Sequence, residues 1–195
     1  MVAAVQSEFA AARLAGSRYR IGMWVALAAI VMMFTALTSA YIVRAGSAND
    51  WQPLTMPRVL LLSTALILVS SGTLERARRH AATQLAYKRW LLITVALGLG
   101  FLASQLFAWR QLAGQGIYVS SNPHSSFFYL LSATHGAHLL GGLLFLIYLA
   151  GRSRASSDNA IAVAKRQATA DAVTLYWHFM DGLWIYLFVL LFFWR

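Results

Sequence analysis

The stretch that decides the fold is Ile21–Val43, which reads IGMWVALAAIVMMFTALTSAYIV and contains no charged residue. A helix needs about 20 mostly apolar residues to cross roughly 30 Å of hydrocarbon, and this stretch meets that requirement. It is longer than the apolar core of a signal peptide, and no clean cleavage site follows, since Arg44 precedes the small residues Ala45-Gly46-Ser47. We therefore expect a retained membrane helix.

Four further stretches satisfy the same criterion, at 56–74, 91–109, 127–150 and 175–194. Their apolar residues run continuously rather than alternating, which favours helices over the strands of a closed barrel. The sequence therefore predicts an all-α fold, a bundle of five transmembrane helices that forms one membrane domain over residues 1–195. The longest loop precedes the last span, and its stretch Asp158–Ala172, rich in Ala, Lys, Arg and Gln, predicts a short surface helix.

The composition of the 195 residues excludes several classes of protein. Hydrophobic residues make up 59% and charged residues only 11%, whereas a soluble domain has about 25% charged residues. A chain this short with so few charges is not a soluble enzyme. It has no cysteine, which excludes disulfides, zinc fingers, iron–sulfur clusters and c-type haem attachment.

The charges of the chain report its topology. There are 16 Lys and Arg residues against 6 Asp and Glu, a net charge of +10, and most of the basic residues precede the first, third and fifth spans. By the positive-inside rule this places the N-terminus in the cytoplasm and the C-terminus outside. Anionic lipid head groups are a further partner for such loops, and we expect no nucleic-acid partner.

Small polar residues recur along the second span, with seven-residue spacing from Ser63 to Ser70 and from Thr64 to Ser71. Membrane helices associate through small residues and interhelical hydrogen bonds, so this stripe predicts a close helix contact.

Local turn chemistry suggests where two of the helices begin. Pro57 is expected in the first turn of the second helix, where its missing N–H costs nothing. The stretch 120–123, SSNP, is expected to form the turn before the fourth helix.

Ionisable side chains within a span are costly and require partners. His135 and His138 are three residues apart in the fourth span, and His178 and Asp181 are three apart in the fifth, so each pair shares a helix face. We expect His178 and Asp181 to pair and the histidines to hydrogen-bond across helices. Metal or haem ligation and a proton relay through His178 and Asp181 are the two other interpretations.

Other catalytic constellations are missing from the sequence. Asp181 is the only carboxylate within a predicted span, so paired-carboxylate chemistry is not available there. There is no glycine-rich phosphate loop and no nucleophile elbow. The residues alone indicate a five-helix membrane subunit that needs partner chains.

Two motifs connect the chain to a known family. The stretch 132–142 reads SATHGAHLLGG and the stretch 176–184 reads YWHFMDGLW. They are similar to the fourth-helix pattern HGxHxxxG and the fifth-helix pattern WHFxDxxW of subunit III of the haem–copper respiratory oxidases, in its short five-helix form. Weaker matches to this family are Gly22-Met23-Trp24, Tyr41, Ser63-Thr64, Ser70-Ser71 and Gln105.

The resemblance implies a non-catalytic subunit of a proton-pumping cytochrome c oxidase in the bacterial inner membrane. Such a subunit lies against the catalytic subunit, stabilises its lipid and proton-uptake environment, and binds no haem or metal. Haem and copper are then expected in partner subunits I and II, and phospholipid is a further ligand. The motif residues implied to make polar contacts between helices are His135, His138, His178, Asp181 and Gln105. Those implied to pack the helices together are Gly136, Gly142, Trp177, Phe179 and Trp184.

Three positions depart from the family pattern. Ile30, Arg58 and Ala108 stand where family members often carry a carboxylate, so this chain offers no acid there for proton collection or gating. The sequence leaves two alternative functions open. One is the equivalent subunit of a quinol oxidase or a nitric oxide reductase. The other is a small proton-coupled transporter, although no inverted repeat of the transporter kind is visible.

Overall fold

Five helices make up the described part of the chain. The computed structural model describes residues 2–47, 51, 56–152 and 160–193, with no strand among them. In chain order the helices are α1 Val2–Ser47, α2 Val59–Arg79, α3 Gln84–Gly114, α4 Pro123–Arg152 and α5 Ala160–Phe193. Each includes a segment long and apolar enough to cross a membrane, which confirms the predicted all-α, five-span architecture. The orientation of the termini stays a prediction.

The helices extend beyond the predicted spans, because hydropathy detects only the part of a helix that suits hydrocarbon. α1 begins at Val2 rather than Ile21, and α5 begins at Ala160 rather than Leu175. Both flanking stretches are rich in alanine and contain no proline, so a helix, once formed, continues through them. The prediction of a separate surface helix over 158–172 was therefore wrong. From Ala160 onward that stretch is the first part of α5, and residues 158 and 159 lie outside the described range. Trp194, the last residue of the predicted fifth span, also lies outside it.

The beginnings of α2 and α4 show how local chemistry sets a helix boundary. α2 begins at Val59, so Pro57 lies just before the first turn rather than within it, and its carbonyl accepts a hydrogen bond from the Leu60 amide at 3.1 Å. α4 begins at Pro123, as expected from the turn residues. The Asn122 side chain accepts a hydrogen bond from the Ser125 amide at 3.0 Å, which caps the helix.

α5 is the central helix of the bundle. It packs against α1, α2 and α4, while α3 joins α2 to α4 and forms with α2 the most extensive pair. In the described part of the chain α1 contacts neither α2 nor α3. One face of α1 carries a narrow buried stripe that packs against α4 and α5. The residues of this stripe are Leu27, Ile30, Phe34, Thr38 and Tyr41. One face of α5 is consequently left open between α1 and α2.

Two glycines allow close approach of α3, α4 and α5. A Cβ atom on Gly98 would lie 2.7 Å from Leu143 Cδ2 and 3.2 Å from Trp177 Cη2. On Gly142 it would lie 2.9 Å from Tyr176 Cε1. Because such distances are too short for carbon atoms in contact, both positions need the absence of a side chain for this packing.

An ionic cluster joins the end of α2 to the early part of α5. The Arg78 guanidinium contacts Glu75 at 2.7 Å and Asp171 at 3.2 Å. Nearby, Arg166 of α5 is buried and donates to the Ala81 carbonyl at 3.2 Å in the turn between α2 and α3. The basic end of the α2–α3 hairpin is thus tied to α5.

Candidate functional site

The predicted small polar stripe of α2 faces α5 and receives hydrogen bonds from two tryptophans. Trp177 Nε1 donates to Ser70 Oγ at 2.9 Å, and Trp184 Nε1 donates to Thr64 Oγ1 at 3.0 Å. Both indoles are almost fully buried. We call this contact the α2–α5 seam, formed by Thr64, Ser70 and Ser71 of α2 and by Trp177, His178, Asp181 and Trp184 of α5. The two tryptophans are seven residues apart on α5 and their two acceptors are six residues apart on α2, so the two hydrogen bonds lie about two helical turns apart along the seam.

The predicted pair between His178 and Asp181 does not form. His178 Nδ1 instead hydrogen-bonds to Ser71 Oγ, and the His178 side chain is exposed on the outside of the bundle. Asp181 is 3% exposed, and neither carboxylate oxygen has a hydrogen-bond partner among the described residues. Two residues three apart on a helix differ by about 60° in direction. That difference turns His178 outward and Asp181 inward.

Ser71 of α2 binds His178 rather than Asp181. Its hydroxyl hydrogen-bonds to His178 Nδ1, and neither carboxylate oxygen of Asp181 has a hydrogen-bond partner among the described residues. This part of the seam therefore holds one bonded polar pair and one buried carboxyl without a described partner.

His135 is enclosed by aromatic rings rather than hydrogen-bonded. Its ring lies 5.8 Å from that of Phe101 on α3 and 5.2 Å from that of Trp184 on α5, centroid to centroid. It is 0% exposed, and neither ring nitrogen has a partner among the described residues. Gln105, one turn beyond Phe101, is also buried. Neither its amide oxygen nor its amide nitrogen has a hydrogen-bond partner among the described residues. The expected interhelical hydrogen bonds of these two residues are absent from the described part of the chain.

His138 links three helices by other means. Its Nδ1 bonds to the Thr134 carbonyl of its own helix at 2.8 Å, so the expected cross-helix bond of the imidazole is not seen. The backbone carbonyl of His138 accepts a hydrogen bond from the Tyr176 hydroxyl of α5 at 2.8 Å. The ring of Phe34 on α1 meets the His138 ring edge-on at 5.9 Å.

The other motif residues differ in how tightly they are held. Gly142 is a point of close approach, whereas a Cβ on Gly136 would lie 3.7 Å from Leu102, an ordinary contact. Phe179 is half-buried and lines a groove between α1 and α5. Trp177 and Trp184 are core residues. The packing role is therefore strict at Gly142 and at the two tryptophans, and looser elsewhere.

Ile30, Ala108 and Arg58 are the positions at which the resemblance led us to expect a carboxylate. Ile30 and Ala108 are buried apolar residues of α1 and α3. Arg58 is exposed and lies just before α2. None of the three offers an acidic group to the membrane interior.

The arrangement favours helix contacts over ligation. Among the described residues no group of three or more His, Cys, Asp or Glu side chains is placed to hold a metal ion. The three histidines within the spans meet different neighbours: Ser71 of α2 for His178, Phe34 of α1 for His138, and Phe101 and Trp184 for His135.

One cluster was not anticipated from the sequence. The Trp51 ring stacks on His124 at 5.0 Å, and Tyr41 meets the Trp51 ring edge-on at 5.2 Å. Tyr41 and His124 are both 0% exposed. The cluster joins the end of α1 to the start of α4. Its only signal in the sequence is that each aromatic residue lies near the end of a span.

Comparison with known proteins places these motifs in a family. The family model for Cytochrome c oxidase subunit III matches residues 3–195. The chain is 34% identical to the "Probable cytochrome c oxidase subunit 3" of Mycobacterium tuberculosis over 184 residues, covering 90% of this chain and 87% of that relative. It is 32% identical to the protein of the same description from Nocardia farcinica over 182 residues, with 90% and 87% covered. It is 30% identical to the "Cytochrome c oxidase subunit 3" of Bacillus subtilis over 185 residues, with 92% and 87% covered. The chain therefore belongs to the cytochrome c oxidase subunit III family.

Proposed function

We propose that the chain is a non-catalytic subunit of a proton-pumping cytochrome c oxidase that stabilises the catalytic subunit and its lipid and proton-uptake environment. One observation carries this proposal: polar groups of both family motifs join helices to each other. Trp177 and Trp184 bind α2, and the backbone of His138 binds Tyr176. Polar side chains at this depth are costly. Here they hold a bundle together.

The partners follow from this assignment. Haem and copper belong to the partner subunits, and subunits I and II are the chains against which this bundle lies. We place the complex in the bacterial inner membrane with the N-terminus of this chain in the cytoplasm. The uneven distribution of the 16 basic residues supports that orientation.

Phospholipid is the ligand that the described surface suits best. A groove of about 560 Å³ between α3 and α4 is lined by Leu106, Phe107, Trp109, Arg110, Tyr118 and Tyr129, among others. Arg110 is exposed and makes no ion pair with a described residue. An apolar wall beside an exposed cation matches an acyl chain and an anionic head group. We expect Arg110→Gln to lower the amount of anionic phospholipid that co-purifies with the complex.

The test of the proposed function is purification of the intact complex through an affinity tag on this chain. A haem-containing large subunit should co-purify, and the complex should oxidise reduced cytochrome c. A complex without the chain should still reduce oxygen at first but lose activity faster during turnover. Purification of the chain with no haem-containing partner would contradict the proposal.

The alternatives predict other results from the same preparation. A quinol oxidase would oxidise quinol in preference to cytochrome c, and a nitric oxide reductase would consume nitric oxide. A transporter would move protons as a lone chain in liposomes. The relatives described above are named as cytochrome c oxidase subunits, which favours none of these alternatives.

A further inference from the structure

Gln105 and His135 are two polar side chains that the packing of the bundle encloses without giving either a partner. Gln105 of α3 is 4% exposed and His135 of α4 is 0% exposed. The amide oxygen and nitrogen of Gln105 and both ring nitrogens of His135 have no hydrogen-bond partner among the described residues. About 90% or more of buried polar groups in proteins are bonded to protein or to ordered water. These four atoms therefore require an explanation.

The two side chains lie in the same contact between α3 and α4. Phe101, Gln105 and Trp109 follow one another at intervals of four residues, so they share one face of α3. At one end of this face the Phe101 ring meets the His135 ring at 5.8 Å, centroid to centroid. At the other end Trp109 Nε1 donates to Ser132 Oγ at 3.1 Å. Gln105 is midway between these two contacts, about 6 Å from each along the helix axis, and therefore faces α4 between Ser132 and His135.

The donors next to Gln105 and His135 are already bonded to other groups. Ser132 Oγ donates to the carbonyl four residues before it at 2.6 Å. Ser104 Oγ donates to the carbonyl three residues before it at 2.7 Å. Trp184, whose ring lies 5.2 Å from that of His135, donates its Nε1 to α2 at 3.0 Å. These three groups therefore have no hydrogen left to donate to Gln105 or His135.

The enclosure and the chemistry of the four atoms select their partner. A direct bond between Gln105 and His135 would satisfy two of the atoms and leave the other two buried and unbonded, which is costly. A side chain of another subunit cannot reach an enclosed imidazole. An apolar gas cannot form hydrogen bonds, and neither side chain offers a carboxylate to compensate a cation. Water is small enough to be enclosed, and it both donates and accepts hydrogen bonds.

We propose that the contact between α3 and α4 is a binding site for structural water, with at least one water molecule bonded to both Gln105 and His135. The water donates to Gln105 Oε1. It accepts from a ring nitrogen of His135 or donates to one, according to the tautomer of the imidazole. This inference goes beyond the proposed function and does not depend on it, because it concerns only the core of this chain. His135 then joins α4 to α3 through water rather than directly.

The first test is an electron cryo-microscopy map of the purified complex at a resolution that shows ordered water. The proposal expects a peak within about 2.7–3.2 Å of both Gln105 and His135. Ser104→Ala is the control and should keep the peak, because its hydroxyl is bonded within α3. Gln105→Leu should lose the peak, because it removes both amide atoms. A direct bond between the two side chains without a peak, a dry contact, or a peak unchanged in Gln105→Leu would overturn the proposal.

The second test is radiolytic labelling, in which hydroxyl radicals formed from bound water modify the side chains beside it. Phe101 and Phe128 are both 0% exposed. Phe101 lies against His135, whereas Phe128 lies two turns from His135 on α4. We expect Phe101 to be modified several-fold faster than Phe128, and this excess to disappear in Gln105→Leu. Should that variant fail to accumulate, Gln105→Met replaces it, and equal rates for the two phenylalanines in the wild-type chain would by themselves refute the site.

Discussion

The contact between Trp177 and Gly98 allows a quantitative test of the packing. Trp177→Phe removes the hydrogen bond to Ser70, which is 2.9 Å long and buried. Such a bond contributes about 0.6 kcal/mol on average in a membrane protein and at most about 1.7 kcal/mol. The smaller ring also leaves a void beside Gly98. We expect a loss of about 1–3 kcal/mol in the free energy of unfolding.

Gly98→Ala should destabilise the wild-type chain for the opposite reason. The added Cβ would lie 2.7 Å from Leu143 Cδ2 and 3.2 Å from Trp177 Cη2, and overpacking of this kind costs about 1–3 kcal/mol. In the Trp177→Phe background the outer ring atoms are gone and the methyl group fills part of the void. The double variant should therefore be more stable than the sum of the single effects predicts, by about 1 kcal/mol.

The assay is titration of the purified complex with SDS, with proteolysis of this chain as the measure of its unfolding. Gly141→Ala is the control, since a Cβ there meets nothing within 4 Å. Additive effects of the two substitutions, within about 0.3 kcal/mol, would refute the packing described around Trp177.

Three further predictions use the same assay. Gly116 has a φ of 77°, so Gly116→Ala should cost about 1–2 kcal/mol, while Gly114→Ala, with open space around its Cβ, should not destabilise the chain; equal effects would contradict this. Asn122→Ala removes the cap of α4 and should cost about 1 kcal/mol, which a neutral result would rule out. Asp171→Asn weakens the contact with Arg78, and both side chains are partly exposed at 51% and 36%, so its effect should be under about 1 kcal/mol and shrink at high salt; a salt-independent loss would count against it.

Much of the fold could be predicted from the sequence, because the hydrocarbon imposes a minimum length on each apolar segment. The five spans followed from that rule. The contact that Ser70 and its small polar neighbours on α2 make with another helix followed from residue spacing. The helix ends did not, since residues 2–20 and the start of α5 continue as helix outside the apolar segments.

The contacts of the site were harder to predict. A spacing of three suggested that His178 pairs with Asp181, but the 60° offset between them sends each to a different neighbour. His135 lies against Phe101 and Trp184, which are distant in sequence and meet only through the packing of α3, α4 and α5.

The most direct measurement is the haem and copper content of the oxidase, per catalytic subunit, before and after this chain is removed with detergent. If the polar residues of this bundle only hold helices together, the haem spectra and the copper content should be the same before and after the chain is removed. Loss of one haem or one copper for each chain removed would contradict the central claim and place a redox centre on these helices.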